Sequence, residues 1–183
     1  MNRFNILLTS LLIIFTCASH ATAAETSGTK TATLISNSGE KIMIGKVVFT
    51  PTAKGTQAVF TVDPKVFEER FLAMRPFICL DGDKHSYCHF PYRSPQLITD
   101  SDLTDLEYQF MFLRKPRNSV SLDPNSGLYY ELKKTANGFE GALREVDMTP
   151  IIVPEGNTTR PIKRENLFTS DPTGHWLPKL VIE

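Results

Sequence analysis

Short runs of β-branched and aromatic residues, separated by turn chemistry, dominate the pattern of apolar and polar positions along the chain. Residues 41–49 and 56–62 are two such runs, and Thr50-Pro51-Thr52-Ala53-Lys54-Gly55 between them carries Pro and Gly where a reversal needs them. They predict an antiparallel pair. Asp63 and Pro64 then supply an N-cap oxygen and a first-turn proline, and Phe67, Phe71 and Met74 follow at spacings of four and three. That spacing predicts a helix over residues 64–75, ended by Pro76.

Residues 77–90 read as a tight hairpin whose register follows from its turn. With Asp83 and Lys84 at the tip, Gly82 faces His85. Counting outward, Cys79 faces Cys88 in a non-hydrogen-bonded pair, where opposed side chains approach most closely and a disulfide can form. Leu106-Glu107-Tyr108-Gln109-Phe110 alternates apolar and polar residues and continues into Met111-Phe112-Leu113, which predicts a strand over residues 106–113. Residues 128–134 and 139–146 flank Asn137-Gly138, the pair that favours a type I′ turn. That turn would set Leu132 opposite Leu143 and Glu131 opposite Arg144.

Beyond Met148 the alternation ends, and Pro150, Pro154, Pro161, Pro172 and Pro178 oppose both a long helix and regular strands. Yet Leu167, Phe168, Trp176, Leu177, Leu180, Val181 and Ile182 are too apolar for an idle solvated tail. The tail either straps across the protein's own sheet or orders on a partner, and Phe168, His175 and Trp176 are its partner-binding candidates. The fold class expected is α+β, mostly β: a curled antiparallel sheet of about seven strands with one short helix and an irregular proline-rich tail. Its parts are a signal segment 1–23, a loose Thr/Ser/Gly-rich arm 24–39, a β-rich domain 40–148 and the extended tail 149–183.

Composition narrows the partners. The 20 basic and 20 acidic side chains cancel, so no field exists to gather nucleic acid. Arg3, the apolar run from Ile6 to Phe15 and the small-residue ending Ala21-Thr22-Ala23 make a secretory signal. The run is too short to span a bilayer, so no transmembrane segment is expected after cleavage. Cys17 opens a rival reading, a lipid-bearing cysteine, which Thr16 before it fits poorly. If the signal is removed, Cys17 leaves with it and Cys79 and Cys88 remain as a pair in an oxidising compartment.

Candidate chemistry is sparse. Cys79, His85, Cys88 and His89 are the densest group of possible metal ligands, but in the hairpin the cysteines point to one face and the histidines to the other, so no metal site is expected. Asp100, Asp102, Asp105 and Glu107 form an acidic patch, read as a capped helical turn over residues 99–105; Asp105 stands where a calcium loop needs Gly. A Ser-His-Asp site is compatible with composition, but no Gly-x-Ser-x-Gly elbow, His-Glu-x-x-His or phosphate-cradling loop is present, and no catalytic residue or cofactor is assigned. Asn157-Thr158-Thr159 is a glycosylation acceptor in a eukaryotic host.

The stretches Arg75-Pro76-Phe77-Ile78-Cys79-Leu80-Asp81-Gly82, Tyr87-Cys88-His89-Phe90-Pro91-Tyr92 and Leu103-Thr104-Asp105-Leu106-Glu107-Tyr108 resemble those of an uncharacterised family of short secreted proteobacterial proteins. The resemblance spans residues 66–146. It implies a periplasmic setting and carries no activity, ligand or functional residue. The function expected is that of an exported, non-catalytic binding or envelope-associated protein, whose partner is a protein or small ligand of the cell envelope. The alternative is a small secreted hydrolase with a site assembled from distant residues, and a deep concavity where His and carboxylates converge would favour it.

Overall fold

The computed structural model describes residues 26–154, 156 and 159–183. The signal segment and the Asn157-Thr158 pair of the glycosylation sequence therefore lie outside the described residues. Strand makes up 50% and helix 13%. The strands are β1 (Gly28–Ile35), β2 (Lys41–Thr52), β3 (Gly55–Val62), β4 (Glu68–Leu72), β5 (Arg75–Asp81), β6 (His85–His89), β7 (Leu97–Ile98), β8 (Phe112–Pro116), β9 (Gly127–Lys134), β10 (Phe139–Val146), β11 (Leu167–Thr169) and β12 (Lys179–Ile182). All belong to one sheet in the order β4-β5-β6-β8-β9-β10-β12-β1-β2-β3-β7, with β11 also on β10. Every described pairing is antiparallel.

The sheet curls without closing. Phe60, from one end of the strand order, meets His89 near the other end at a ring separation of 5.8 Å, and Phe49 of β2 stacks on Phe139 of β10 at 5.5 Å. One cluster of buried side chains fills this curl, including Leu34, Val47, Tyr87, Phe112, Tyr130 and Leu180. Each fully buried large side chain contributes roughly 1.5–3 kcal/mol. The gap between the sheet's ends is plugged by α1 (Thr104–Glu107) and the 3-10 turn Tyr108–Phe110. There the Gln109 side chain acts as a surrogate strand: its amide Nε2 donates to the Ala58 carbonyl at 2.8 Å and its Oε1 accepts from the Phe60 N–H at 2.8 Å. A second cluster, with Cys79, Cys88, Leu113, Tyr129, Val146 and Met148, lies on the outer face of β5, β6, β8, β9 and β10.

The mostly β class and the short helical content agree with the sequence reading, and the strand count does not. Among the described residues the sheet has twelve strands, because β1, β4, β7, β11 and β12 join the seven expected. The loose arm is in fact a central strand: Ala32 and Leu34 alternate with Thr31 and Thr33, so one face is buried while the β-branched backbone pairs on both edges. The proline-rich tail contributes β12, inserted between β10 and β1, with Pro178 just before it where no ladder N–H is needed. Arm, domain and tail are thus parts of one sheet.

The helix over residues 64–75 is absent. Asp63 accepts from the Lys65 N–H at 3.0 Å, but this caps a turn. Ala73 and Met74 adopt positive φ of 45° and 62° and reverse β4 onto β5. The supposed apolar stripe is split, since Phe67 is buried while Phe71 and Met74 are exposed. The strand over residues 106–113 is corrected too: its first half is the helical plug, and only Phe112 onward is strand. Its alternating polar residues are not a solvent face, because Glu107 and Gln109 are both buried on internal partners.

In the β9–β10 hairpin, Leu132 faces Gly141 and Leu143 faces Tyr130, so the turn centres on Ala136 and Asn137 instead of Asn137 and Gly138. The faces survive this slip of two positions in pairing, and the Glu131–Arg144 contact persists as a diagonal bond of 2.9 Å. Gly138 is required by approach: a Cβ there would lie 1.9 Å from the Ile182 carbonyl oxygen.

Candidate functional site

The β5–β6 hairpin has the register counted from the sequence, with Cys79 opposite Cys88, Leu80 opposite Tyr87 and Asp81 opposite Ser86. Cys79 and Cys88 are disulfide-bonded, with their Cα atoms 3.9 Å apart. They belong to the outer cluster, whereas His89 packs on Phe60 and Phe112 of the inner one. The hairpin tip forms one wall of a cleft of about 660 Å³, and the tail segment Thr173–Trp176 forms the other.

Each wall is held in place by identifiable bonds. Asp171 accepts from the Thr173 N–H at 2.9 Å and caps the short turn Pro172–Gly174. The Asn37 amide donates to the carbonyls of Pro172 at 2.8 Å and His175 at 2.9 Å, fastening the tail to the β1–β2 turn. Trp176 lies on the hairpin backbone at Gly82, where a Cβ would come within 2.6 Å of the indole, and its ring meets Tyr87 edge-on at 5.9 Å. Gly82 thus makes room for the chain's single tryptophan.

His175 is 4% exposed. Its Nε2 lies 2.9 Å from Glu145 Oε1, and its Nδ1 is in a long contact of 3.5 Å with the Tyr87 hydroxyl. An ionised carboxylate only accepts, so Nε2 carries the proton and Nδ1 accepts from Tyr87. Burial, then the charge of Arg114, push the imidazole below its ordinary pKa, and Glu145 pulls it back. Burial and the neighbouring Arg114 and Lys84 lower His85 likewise. Burial raises the Tyr87 hydroxyl. Both ring nitrogens of His175 are engaged inside the protein, and Tyr87 is fully buried. The groups the cleft offers to a ligand are Ser38, Glu40, Asp83, Lys84, His85 and the Trp176 indole.

The structure therefore brings two of the tail candidates, His175 and Trp176, into one site. Phe168 is 55% exposed on β11, opposite Glu145 in register but outside the cleft lining. Glu145 and Arg114 were not singled out from the sequence, although inward alternation of Phe139, Gly141 and Leu143 points Glu145 to the same side. The acidic patch is absorbed by the fold: Asp100 pairs with Lys134, Asp102 and Asp105 share Arg160, and Glu107 accepts from the Tyr129 hydroxyl and the Leu132 N–H. Asp102 also accepts from the Thr104 N–H at 3.1 Å, just ahead of α1. Among the described residues, no group of three or more His, Cys, Asp or Glu is placed to hold a metal ion, and no helix is long and apolar enough to cross a membrane.

Compared with known proteins, the chain matches no family model, no curated protein and no solved structure.

Proposed function

We propose that the chain is an exported, non-catalytic binding protein of the cell envelope that takes a small polar ligand in the cleft between the β5–β6 tip and Trp176. The observation that carries this reading is the state of His175: both nitrogens are committed to Glu145 and Tyr87, so the imidazole props the wall and offers no lone pair to a substrate. Its neighbours Asp83, Lys84, His85 and Glu40 supply donors and acceptors of both signs at the rim, and the volume falls in the range of small-molecule sites. The disulfide and the Asn37 bonds fix the walls in advance, which lowers the ordering cost of binding.

Trp176 reports on the site directly. Titration with amino acids, sugars and nucleotides should find a class that changes its emission saturably, and Asp83→Ala with His85→Ala should remove the response while leaving the unfolding midpoint in place. The second reading, a small hydrolase, rests on the Glu145–His175 pair of 2.9 Å. Turnover of ester, amide or phosphoester substrates that His175→Gln abolishes would establish it in place of the first. Export is tested separately: protein recovered from the periplasm or medium should lack about 23 N-terminal residues by intact mass, and a full-length cytoplasmic species would refute that part.

A further inference from the structure

The outer cluster is roofed only in part. At one end Phe77, Phe90, Leu113, Leu122 and Ile151 wall a groove of about 510 Å³, with Ile152 of α2 (Thr149–Ile152) at its lip. Apolar exposure concentrates on the segments beside it: Phe71 and Met74 at the β4–β5 reversal are 76% and 88% exposed, and Ile152 and Val153 are 49% and 62% exposed. Such a concentration marks a contact surface.

Among the described residues the charge on this groove is of one sign: its lining holds Arg75 and Arg93 and no carboxylate. Among the described residues Arg70, Arg114, Arg117, Arg144, Arg160 and Arg164 each have an acidic partner within 4.0 Å, whereas Arg75 and Arg93 have none. Two unpaired guanidinium groups above an apolar trough are the complement of a molecule with an apolar chain and an anionic head. A peptide strand added to β4, the terminal strand, fits less well, because Glu68, Glu69 and Arg70 put charge along that free edge.

We infer that this groove binds a single-chain anionic amphiphile, with the chain against Phe77, Leu113 and Ile152 and the head between Arg75 and Arg93. The site is separate from the Trp176 cleft and stands without it. The test is calorimetric titration of the intact, disulfide-bonded chain with octanoate, decanoate and dodecanoate below their micellar concentrations. One site is expected, with affinity rising about fourfold per added methylene and dodecyltrimethylammonium binding more weakly than dodecanoate. The double variant Arg75→Gln, Arg93→Gln should weaken dodecanoate about fivefold and leave the chain-length slope unchanged, as solvent-exposed charge pairs contribute modestly. Ile152→Glu, at an exposed position, should abolish binding while its unfolding midpoint stays at the parent's. Equal affinity for the cationic amphiphile, no dependence on chain length, or binding only to anionic vesicles with the free carboxylates inert would each overturn the inference.

Discussion

Leu180 tests whether the tail is structural. It lies in β12, is fully buried, and faces Leu34 of β1 on one side and Gly141 of β10 on the other. Leu180→Ala removes the side chain from the seam that joins the two halves of the sheet, and Gly141 has no side chain with which to fill the space. A buried Leu→Ala change of this kind costs about 3 kcal/mol, a large part of the 5–15 kcal/mol typical of a whole domain. With a urea slope of about 2 kcal/mol per molar, the midpoint should fall by about 1.5 M. Val181 points to the other face and is only partly buried, so Val181→Ala should cost under about 1 kcal/mol. Urea unfolding followed in parallel by Trp176 emission and far-ultraviolet dichroism measures both variants. The two signals should change together, since tail and sheet are one cooperative unit. A Leu180→Ala midpoint within about 0.3 M of the parent, or a Trp176 transition that precedes the loss of strand signal, would refute the reasoning.

Three further outcomes follow from the same contacts. Thiol titration of the unfolded, unreduced chain should find no free thiol once residues 1–23 are removed and only Cys17 when they are retained; opening the Cys79–Cys88 link, nine residues apart, should lower stability by at most about 2.7 kcal/mol. Gly138→Val should cost about 2 kcal/mol or more, whereas Asn137→Ala should be close to neutral by denaturant midpoint, because Gly138 is constrained by the Ile182 carbonyl and Asn137 lacks positive φ. His89 and His175 have folded pKa values below the ordinary 6.5, chiefly through burial. Unfolded chains therefore take up these protons first, so the stability they contribute is complete above pH 6.5 and is lost as pH falls through the lowered folded values. The thermal midpoint should drop as pH falls below about 6.5, and His89→Gln with His175→Gln should flatten that slope. Glu107, raised by burial, works in the opposite sense, its cost being relieved as it protonates.

The hairpin around Cys79 and Cys88 was legible because a two-residue tip and the period of two leave one register in which both cysteines meet. His175 and Trp176 stood out as apolar or ionisable residues in a tail too greasy to be solvated. The site they form was not legible, since Glu145 reaches His175 only through the insertion of β12 beside β10, a pairing across some 40 residues that no local pattern encodes. At residues 64–75 a helical spacing lost to cross-strand pairing and to the positive φ of Ala73 and Met74, which neither residue advertises. At Glu107 and Gln109 the alternation was real, but burial on internal hydrogen bonds took the place of solvent. At Asn137-Gly138 the glycine does take a positive φ, of 156°, but the turn is centred one residue earlier, and the close approach of the Ile182 carbonyl oxygen, from the last strand, has no local signal.

The meeting of β1 and β12 has a consequence for how the chain acquires its structure. Thr31 and Glu183 exchange backbone hydrogen bonds of 2.7 and 3.0 Å, so two residues about 150 positions apart are clasped together in the middle of the sheet. During synthesis the β1 edge that β12 covers stays unmatched until residues 179–183 have been made. Closing a loop of that span is entropically slow. A tag appended directly after Glu183 would have to leave from inside the β12–β1 seam, and one that pulls on it would be expected to delay the last step of folding.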